Sequence, residues 1–108
     1  MSVLKSKNIF SDIPSSLQEE FFETLQSSQN IKIERIVSYG HVTKEGEWYD
    51  QRQNEWVILL SGEAVISFLS GDEVRLRAGE YINIPAHKKH RVSWTSPEQK
   101  SIWLAVHY

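Results

Sequence analysis

Two of the four histidines in this 108-residue chain, His87 and His90, follow Pro85 at the end of a short apolar segment. Imidazole rings bind transition metals and exchange protons near neutral pH, so histidines at such a corner are candidates for either chemistry. A position in the turn itself favours an exposed side chain, and we expect His87 at the rim of a site. His90 opens the next alternating segment and is the stronger candidate.

Glu55 is the matching acidic candidate. Period-two alternation in EWVILLS places it on one face with Val57, and the same rule in HRVSWT places His90 with Val92 and Trp94. If both faces line an interior, Glu55 and His90 converge there. A buried carboxylate without a partner costs several kcal/mol or takes up a proton, so we expect a partner for Glu55: a histidine, a metal ion or a water network.

The segments that carry these residues belong to a series of short apolar runs separated by turn residues, beginning at residue 31. Such a series is typical of an all-β sandwich or barrel built from antiparallel strands. The runs are IKIERIVSY, EWVILLS, EAVISFL, EVRLRA, EYINIP, HRVSWT and SIWLAVHY.

The first thirty residues have a different pattern. Ser15 and Ser16 are possible N-caps, and Leu17, Phe21 and Leu25 follow at helical spacing, which predicts an amphipathic α-helix over residues 15–27. We therefore divide the chain into an N-terminal helical extension, residues 1–30, and a β-barrel domain, residues 31–108. The apolar face of the helix would cover either a sheet of its own chain or a second subunit.

Composition narrows the classes of partner. Twelve basic and 14 acidic residues are interspersed and give a net charge of −2, so the sequence predicts neither a nucleic-acid interface nor a basic membrane-binding face. The absence of cysteine excludes disulfides and thiolate chemistry. The opening residues lack the apolar run of a signal peptide, and we expect a soluble cytoplasmic protein that binds a small molecule.

At this point the motifs resemble those of the cupin superfamily. Gly79, Pro85 and His90 match the spacing of the second cupin motif, in which the last residue is a metal-binding histidine. Glu55 and Gly62 match the second half of the first motif. The resemblance covers residues 31–108 and implies a small antiparallel jelly-roll β-barrel.

The sequence departs from the family at the paired histidines of the first motif. Their places fall within WYDQ, so the oxygen donors there would be Asp50, Gln51 and the Tyr49 hydroxyl. The resemblance then implies a divalent ion (Zn, Fe, Mn or Ni) held by Asp50, Gln51, Glu55 and His90, with Tyr49 as a catalytic acid–base group. With such a centre the resemblance implies isomerase- or dioxygenase-type chemistry on a small molecule.

A second hypothesis requires no metal. The same residues would form a hydrogen-bonded polar cluster that orients a sugar or an aromatic ligand, which suits a cupin lacking the histidine pair. Trp48, Tyr49 and Trp94 are candidates for aromatic walls of the pocket.

Two further features stand apart from the motifs. Alternation turns Trp56 and Ile58 to the outer face of their strand, together with Leu60, and such an apolar surface predicts a homodimer. His107, near the end of the last strand, is interpreted as a structural or exposed side chain.

Overall fold

The computed structural model describes residues 4–108, which form two antiparallel sheets. The five-stranded sheet has the strand order β1-β2-β8-β3-β6, and the three-stranded sheet has the order β5-β4-β7. The eight strands are β1 (Phe21–Ser27), β2 (Lys32–Ser38), β3 (Glu55–Ser61), β4 (Glu63–Phe68), β5 (Glu73–Arg77), β6 (Tyr81–Ile84), β7 (His90–Thr95) and β8 (Ser101–His107).

Alternation along the strands builds a single core between the sheets. In β3 every second side chain is buried, beginning with Glu55 and continuing with Val57 and Leu59, while Trp56 and Ile58 are half-buried on the opposite face. The buried cluster is Ile36, Val57, Leu59, Ala64, Ile66, Phe68, Leu76, Ile84, Trp103 and Ala105. The predicted antiparallel jelly-roll barrel is therefore confirmed. Residues 4–108 contain no helix that could cross a membrane.

The predicted N-terminal α-helix is wrong. Residues 21–27 form β1, which pairs with β2 from Phe21 opposite Val37 to Ser27 opposite Lys32, with a bulge after Thr24. Most of β1 is exposed, so a helix in this segment would gain little free energy from burying apolar side chains. The open edge of β2, in contrast, offers this segment a row of backbone hydrogen bonds. The boundary at residue 30 stays a prediction, although β1 shares a sheet with the strands that follow it.

The expectation that Trp94 points inward is also wrong. The β4–β7 pairing shifts register between Val65 and Ile66, so Val92 lies opposite Ile66 and Trp94 lies opposite Val65. A bulge reverses the alternation that follows it. Trp94 is consequently 37% exposed, and the guanidinium of Arg75 lies 5.5 Å from its ring centroid.

Candidate functional site

A cavity of about 60 Å³ lies between the sheets and combines apolar walls with a concentration of titratable groups. Its polar lining residues are Glu20, Glu34, Tyr49, Gln51, Glu55, His90 and His107. Its apolar lining residues are Phe22, Ile36, Val57, Ile66, Ile84, Val92 and Trp103. Within the described part of the chain, no lysine or arginine lines this cavity.

Glu55 and His90 meet inside the cavity. The Oε1 atom of Glu55 lies 3.5 Å from Nε2 of His90, and the two residues are 8% and 5% exposed. The other ring nitrogen, Nδ1, lies 2.9 Å from the carbonyl oxygen of Lys88. A carbonyl oxygen only accepts, so Nδ1 carries a proton and Nε2 is directed at the carboxylate.

A second buried pair, Glu34 with His107, lies on the same cavity. Nε2 of His107 is 2.9 Å from Oε1 of Glu34, and Nζ of Lys32 lies 3.6 Å from the other carboxylate oxygen. Sequence reasoning left Glu34 out and assigned His107 no functional role. Glu34 could have been found from the alternation in β2, which places Glu34 and Ile36 on one face of the strand. The same pattern singled out Glu55 in β3.

The two pairs form one continuous set across four strands. His107 lies directly opposite Glu55 in the β3–β8 pairing, and directly opposite side chains share one face of a sheet. The order across the cavity is therefore Glu34 on β2, His107 on β8, Glu55 on β3 and His90 on β7. We call these four residues the carboxylate–imidazole row.

Protonation in the row follows from its contacts. Burial alone would lower the pKa of His90, but the hydrogen bonds to Glu55 and to the Lys88 carbonyl, with the charge of Glu55, outweigh it and raise that pKa. The hydrogen bond from His107 outweighs burial and lowers the pKa of Glu34. Near neutral pH Glu34 is therefore a carboxylate, and His90 holds its second proton more firmly than a free histidine does.

Tyr49 and Gln51 complete the wall beside His90. Tyr49 exchanges two backbone hydrogen bonds with His90, at 2.8 and 3.1 Å, and the ring centroids are 5.6 Å apart. Burial, and then the nearby charge of Glu20, raise the pKa of Tyr49, so its hydroxyl is a proton donor. The Oε1 atom of Gln51 is buried and has no hydrogen-bond partner within residues 4–108.

Among the predicted catalytic and metal-binding residues, Asp50 alone does not line the cavity; the predicted aromatic wall residues Trp48 and Trp94 do not line it either. Asp50 lies at the surface, where Oδ1 is 2.9 Å from Nδ1 of His87, and both side chains are largely exposed. His87 adopts a φ of 63° and donates its backbone N–H to the Gln51 carbonyl at 2.8 Å. The His87–Asp50 pair therefore joins two loops at the rim.

Three of the four predicted metal ligands lie on the cavity. Gln51, Glu55 and His90 share the cavity, but in the described ranges no three histidine, aspartate or glutamate side chains are disposed to hold one ion. A transition-metal site ordinarily needs at least three such protein ligands. Residues 4–108 therefore do not provide a conventional transition-metal centre.

Glu20 is a further cavity residue that sequence reasoning missed, because the segment was assigned to a helix. It accepts a hydrogen bond from the Ser38 hydroxyl, which itself lies 3.3 Å from Nε1 of Trp103. Burial raises the pKa of Glu20 more than its contacts with Ser38 and His41 lower it. Glu20 therefore retains a proton to higher pH than a free glutamate does.

Solved structures share this architecture. A protein of Ralstonia eutropha JMP134, provisionally named as a mannose-6-phosphate isomerase, is 40% identical, with a TM-score of 0.91 over 96% of this chain and 97% of its own. A cupin superfamily protein of Desulfitobacterium hafniense DCB-2 is 20% identical, with a TM-score of 0.73 over 88% and 82% of the two chains. TT1209 of Thermus thermophilus is 17% identical, with a TM-score of 0.78 over 96% of each chain. The last two likenesses concern the fold alone.

The sequence has no significant match among curated proteins. The family model for the cupin domain, in contrast, matches residues 36–107, two thirds of the chain, including the last three residues of β2 and all of β3–β8. The chain therefore belongs to the cupin domain family.

Proposed function

We propose that this cupin binds a small, uncharged, hydroxyl-bearing molecule in its cavity and transfers protons on it without a metal ion. The observation that carries the proposal is the carboxylate–imidazole row, because it places two buried imidazoles, each with its own carboxylate, on one cavity. Paired imidazoles of this kind act as general acids and bases.

Isomerisation of a hydroxy-carbonyl compound matches this arrangement. The Glu34–His107 pair takes the proton from the carbon next to the carbonyl, and His90 or Tyr49 gives a proton to the carbonyl oxygen, which yields an enediol. The Glu34–His107 pair then returns its proton to the former carbonyl carbon. The hydroxyl on the adjacent carbon gives its proton back to the group that acted as donor, which completes the isomer and restores both catalytic groups. His90 and Tyr49 are assigned as donors because their pKa values are raised.

Charge selects the class of ligand. Three carboxylates, from Glu20, Glu34 and Glu55, line the cavity, and no lysine or arginine among the described residues joins them. A phosphate dianion would be repelled by these carboxylates, and the His90 imidazole that could oppose its charge is already directed at Glu55. The name of the Ralstonia protein supports a sugar as the ligand, but the charges favour the unphosphorylated form.

Aromatic rings in the lining suit the apolar face of a sugar ring. Tyr49, Trp103 and Phe22 supply such surfaces around the polar row. The same walls would accept a small aromatic ligand, and competition between sugars and phenols for the cavity separates these two ligand classes.

The test is proton exchange at carbon. The protein is incubated in D₂O with D-mannose and, separately, D-fructose, and deuterium incorporation next to the carbonyl is followed by NMR. We expect incorporation by the wild type and by His87→Gln, since His87 is exposed at the rim, and a loss of about 100-fold or more in His90→Gln. Binding with no exchange by the wild type would restrict the protein to a binding module.

A divalent metal is the second candidate, and one observation favours it. The buried Oε1 of Gln51 has no partner within residues 4–108 and lies on the same cavity as Glu55 and His90. On this hypothesis, protein purified without chelator carries near-stoichiometric Zn, Fe, Mn or Ni, which Gln51→Leu and His90→Ala both lose. Metal-free protein that takes up none of these ions on titration would reject it.

We further propose that the outer face of the five-stranded sheet forms a homodimer. Trp56 and Ile58 are half-buried there, and the Trp56 ring lies 5.3 Å from the more exposed ring of Tyr81. Light scattering after size exclusion is expected to give twice the 12.6 kDa chain mass, and Trp56→Glu is expected to give the monomer. The cytoplasmic location stays a prediction.

A further inference from the structure

We infer that Glu20 and Phe22, on the N-terminal segment, determine the ligand specificity of the cavity, with Glu20 accepting a hydrogen bond from a ligand hydroxyl. This inference rests on the proposed function. It assigns the choice among uncharged ligands to residues outside the shared family region, because the family match begins at residue 36.

The N-terminal segment supplies its own part of the cavity wall. Glu20 immediately precedes β1 and Phe22 is the second residue of that strand, and both line the cavity. The Phe22 side chain is 49% exposed, so its ring contributes to both the cavity and the surface. Glu20 and Phe22 therefore form the part of the cavity wall that the N-terminal segment supplies.

A hydrogen-bond chain orients the Glu20 carboxylate. Ser38 is fully buried and its hydroxyl has a single proton, which it donates to Oε2 of Glu20, while its oxygen lies 3.3 Å from the indole nitrogen of Trp103. Within residues 4–108, Oε1 of Glu20 makes no hydrogen bond. One carboxylate oxygen is thus fixed by the protein, and the other is available to a ligand.

Contacts further upstream hold the segment in place. The guanidinium of Arg35, whose side chain is 5% exposed, donates to the carbonyl oxygens of Ile9 and Ser11 at 2.9 and 2.6 Å. The ammonium of Lys100 donates to the Pro14 carbonyl at 2.8 Å. A segment fastened on both sides of residue 12 positions Glu20 with little loss of entropy on binding.

The chemistry of the pair defines a preference. An oriented carboxylate favours ligands that present a hydroxyl donor and disfavours ligands that present an anion. The exposed ring of Phe22 favours an apolar ring face beside that hydroxyl. The expected ranking places the uncharged D-mannose, D-fructose and myo-inositol above mannose-6-phosphate, because only the last carries an anionic group.

The experiment compares two adjacent glutamates. Glu20→Gln removes the cavity charge, while Glu19→Gln makes the same change at an exposed position. Affinities for the four probes are measured by NMR titration, with the Trp103 indole signal reporting from the cavity and the other three tryptophans, outside the lining, as internal controls. Glu20→Asp keeps the charge but withdraws it by one methylene group, and the spread of its amide signals checks folding.

We expect Glu20→Gln to weaken binding of the neutral sugars about tenfold, which is the usual effect of losing a charged hydrogen-bond acceptor. The same change removes a negative charge, so the ratio between the affinities for D-mannose and for mannose-6-phosphate should decrease. Glu20→Asp is expected to weaken the binding of D-mannose and of mannose-6-phosphate by similar factors, because the negative charge is kept, so the ratio of the two affinities should stay as in the wild type. Glu19→Gln is expected to have the affinities of the wild type. Unchanged ranking and affinity in Glu20→Gln would overturn the inference and leave the proposed function standing. Failure of the wild type to bind any probe would overturn the proposed function and this inference with it.

Discussion

Two histidine–carboxylate pairs in this protein share an N–O distance of 2.9 Å and differ in burial. The His107–Glu34 side chains are 8% and 11% exposed, whereas the His87–Asp50 side chains are 67% and 42% exposed. Their comparison separates the contribution of burial from that of geometry. We expect a large coupling free energy for the buried pair and almost none for the exposed pair.

The magnitudes follow from the surroundings of each pair. An exposed pair is screened by water and contributes about 0.5 kcal/mol. Removing His107 alone leaves the Glu34 carboxylate buried, and such a change costs about 3–5 kcal/mol. Lys32, whose Nζ lies 3.6 Å from Glu34, offsets part of this cost, so we expect about 3 kcal/mol for His107→Gln and a coupling of about 1.5 kcal/mol.

The assay is a double-mutant cycle for each pair by urea unfolding. The buried cycle uses His107→Gln, Glu34→Gln and the double variant; the exposed cycle uses His87→Gln, Asp50→Asn and their combination. Because the pKa of Glu34 is lowered in the folded protein, its stabilising contribution is complete above the unfolded value of 4.5 and is lost as the pH falls through the folded pKa. The buried coupling should therefore shrink in acid. Equal couplings in the two cycles, within about 0.5 kcal/mol, would refute the assignment of this energy to burial.

Three other measurements test separate parts of the structure. Gly62→Ala is expected to destabilise the protein by about 3 kcal/mol or to prevent folding, because Gly62 has a φ of 93° and an added Cβ would lie 2.6 Å from Cα of Ser101. A free energy of unfolding within about 0.5 kcal/mol of the wild-type value would contradict this backbone geometry at Gly62. Because the pKa of His90 is raised in the folded protein, its stabilising contribution is complete below the unfolded value of 6.5 and is lost as the pH rises through the folded pKa. The wild type should therefore lose more stability than His90→Gln between about pH 6 and pH 8.5. If the free energies of unfolding of the two proteins change in parallel with pH, the stabilising interaction between His90 and Glu55 is excluded. Arg35→Met should speed amide exchange of residues 9–12 at least tenfold, and unchanged protection would show that other contacts hold this segment.

The strands of the barrel were predictable because each depends on alternation within a few residues. Glu55 and His90 were singled out for the same reason: a polar residue on an apolar face is visible without knowledge of the partner strand. The failures arose where structure depends on distant segments. The β1 strand forms because β2 offers it an edge, and the bulge that turns Trp94 outward is a property of the β4–β7 pairing.

The second half of the row could not be read from local sequence. Glu34 and His107 are 73 positions apart, and only the placement of β8 beside β2 brings them together. The direction of the Asp50 side chain could not be predicted from local sequence either. Motif spacing assigned Asp50 to a metal site, but in a loop no alternation fixes a side-chain direction, and the neighbouring His87 binds it at the rim.

The strand order explains why the site compensates its own charge. With β8 between β2 and β3, one histidine near the end of β8 lies beside a glutamate from each neighbouring strand, and His90 reaches the second glutamate from the other sheet. Each carboxylate of the row then has an imidazole, so folding leaves no large net charge in the row for a ligand to neutralise. Such a cavity gains little from a charged ligand and can discriminate among uncharged ones by their hydroxyl positions. The pairing that makes Glu34 and Glu55 tolerable inside the barrel is thus the same pairing that makes them available for proton transfer.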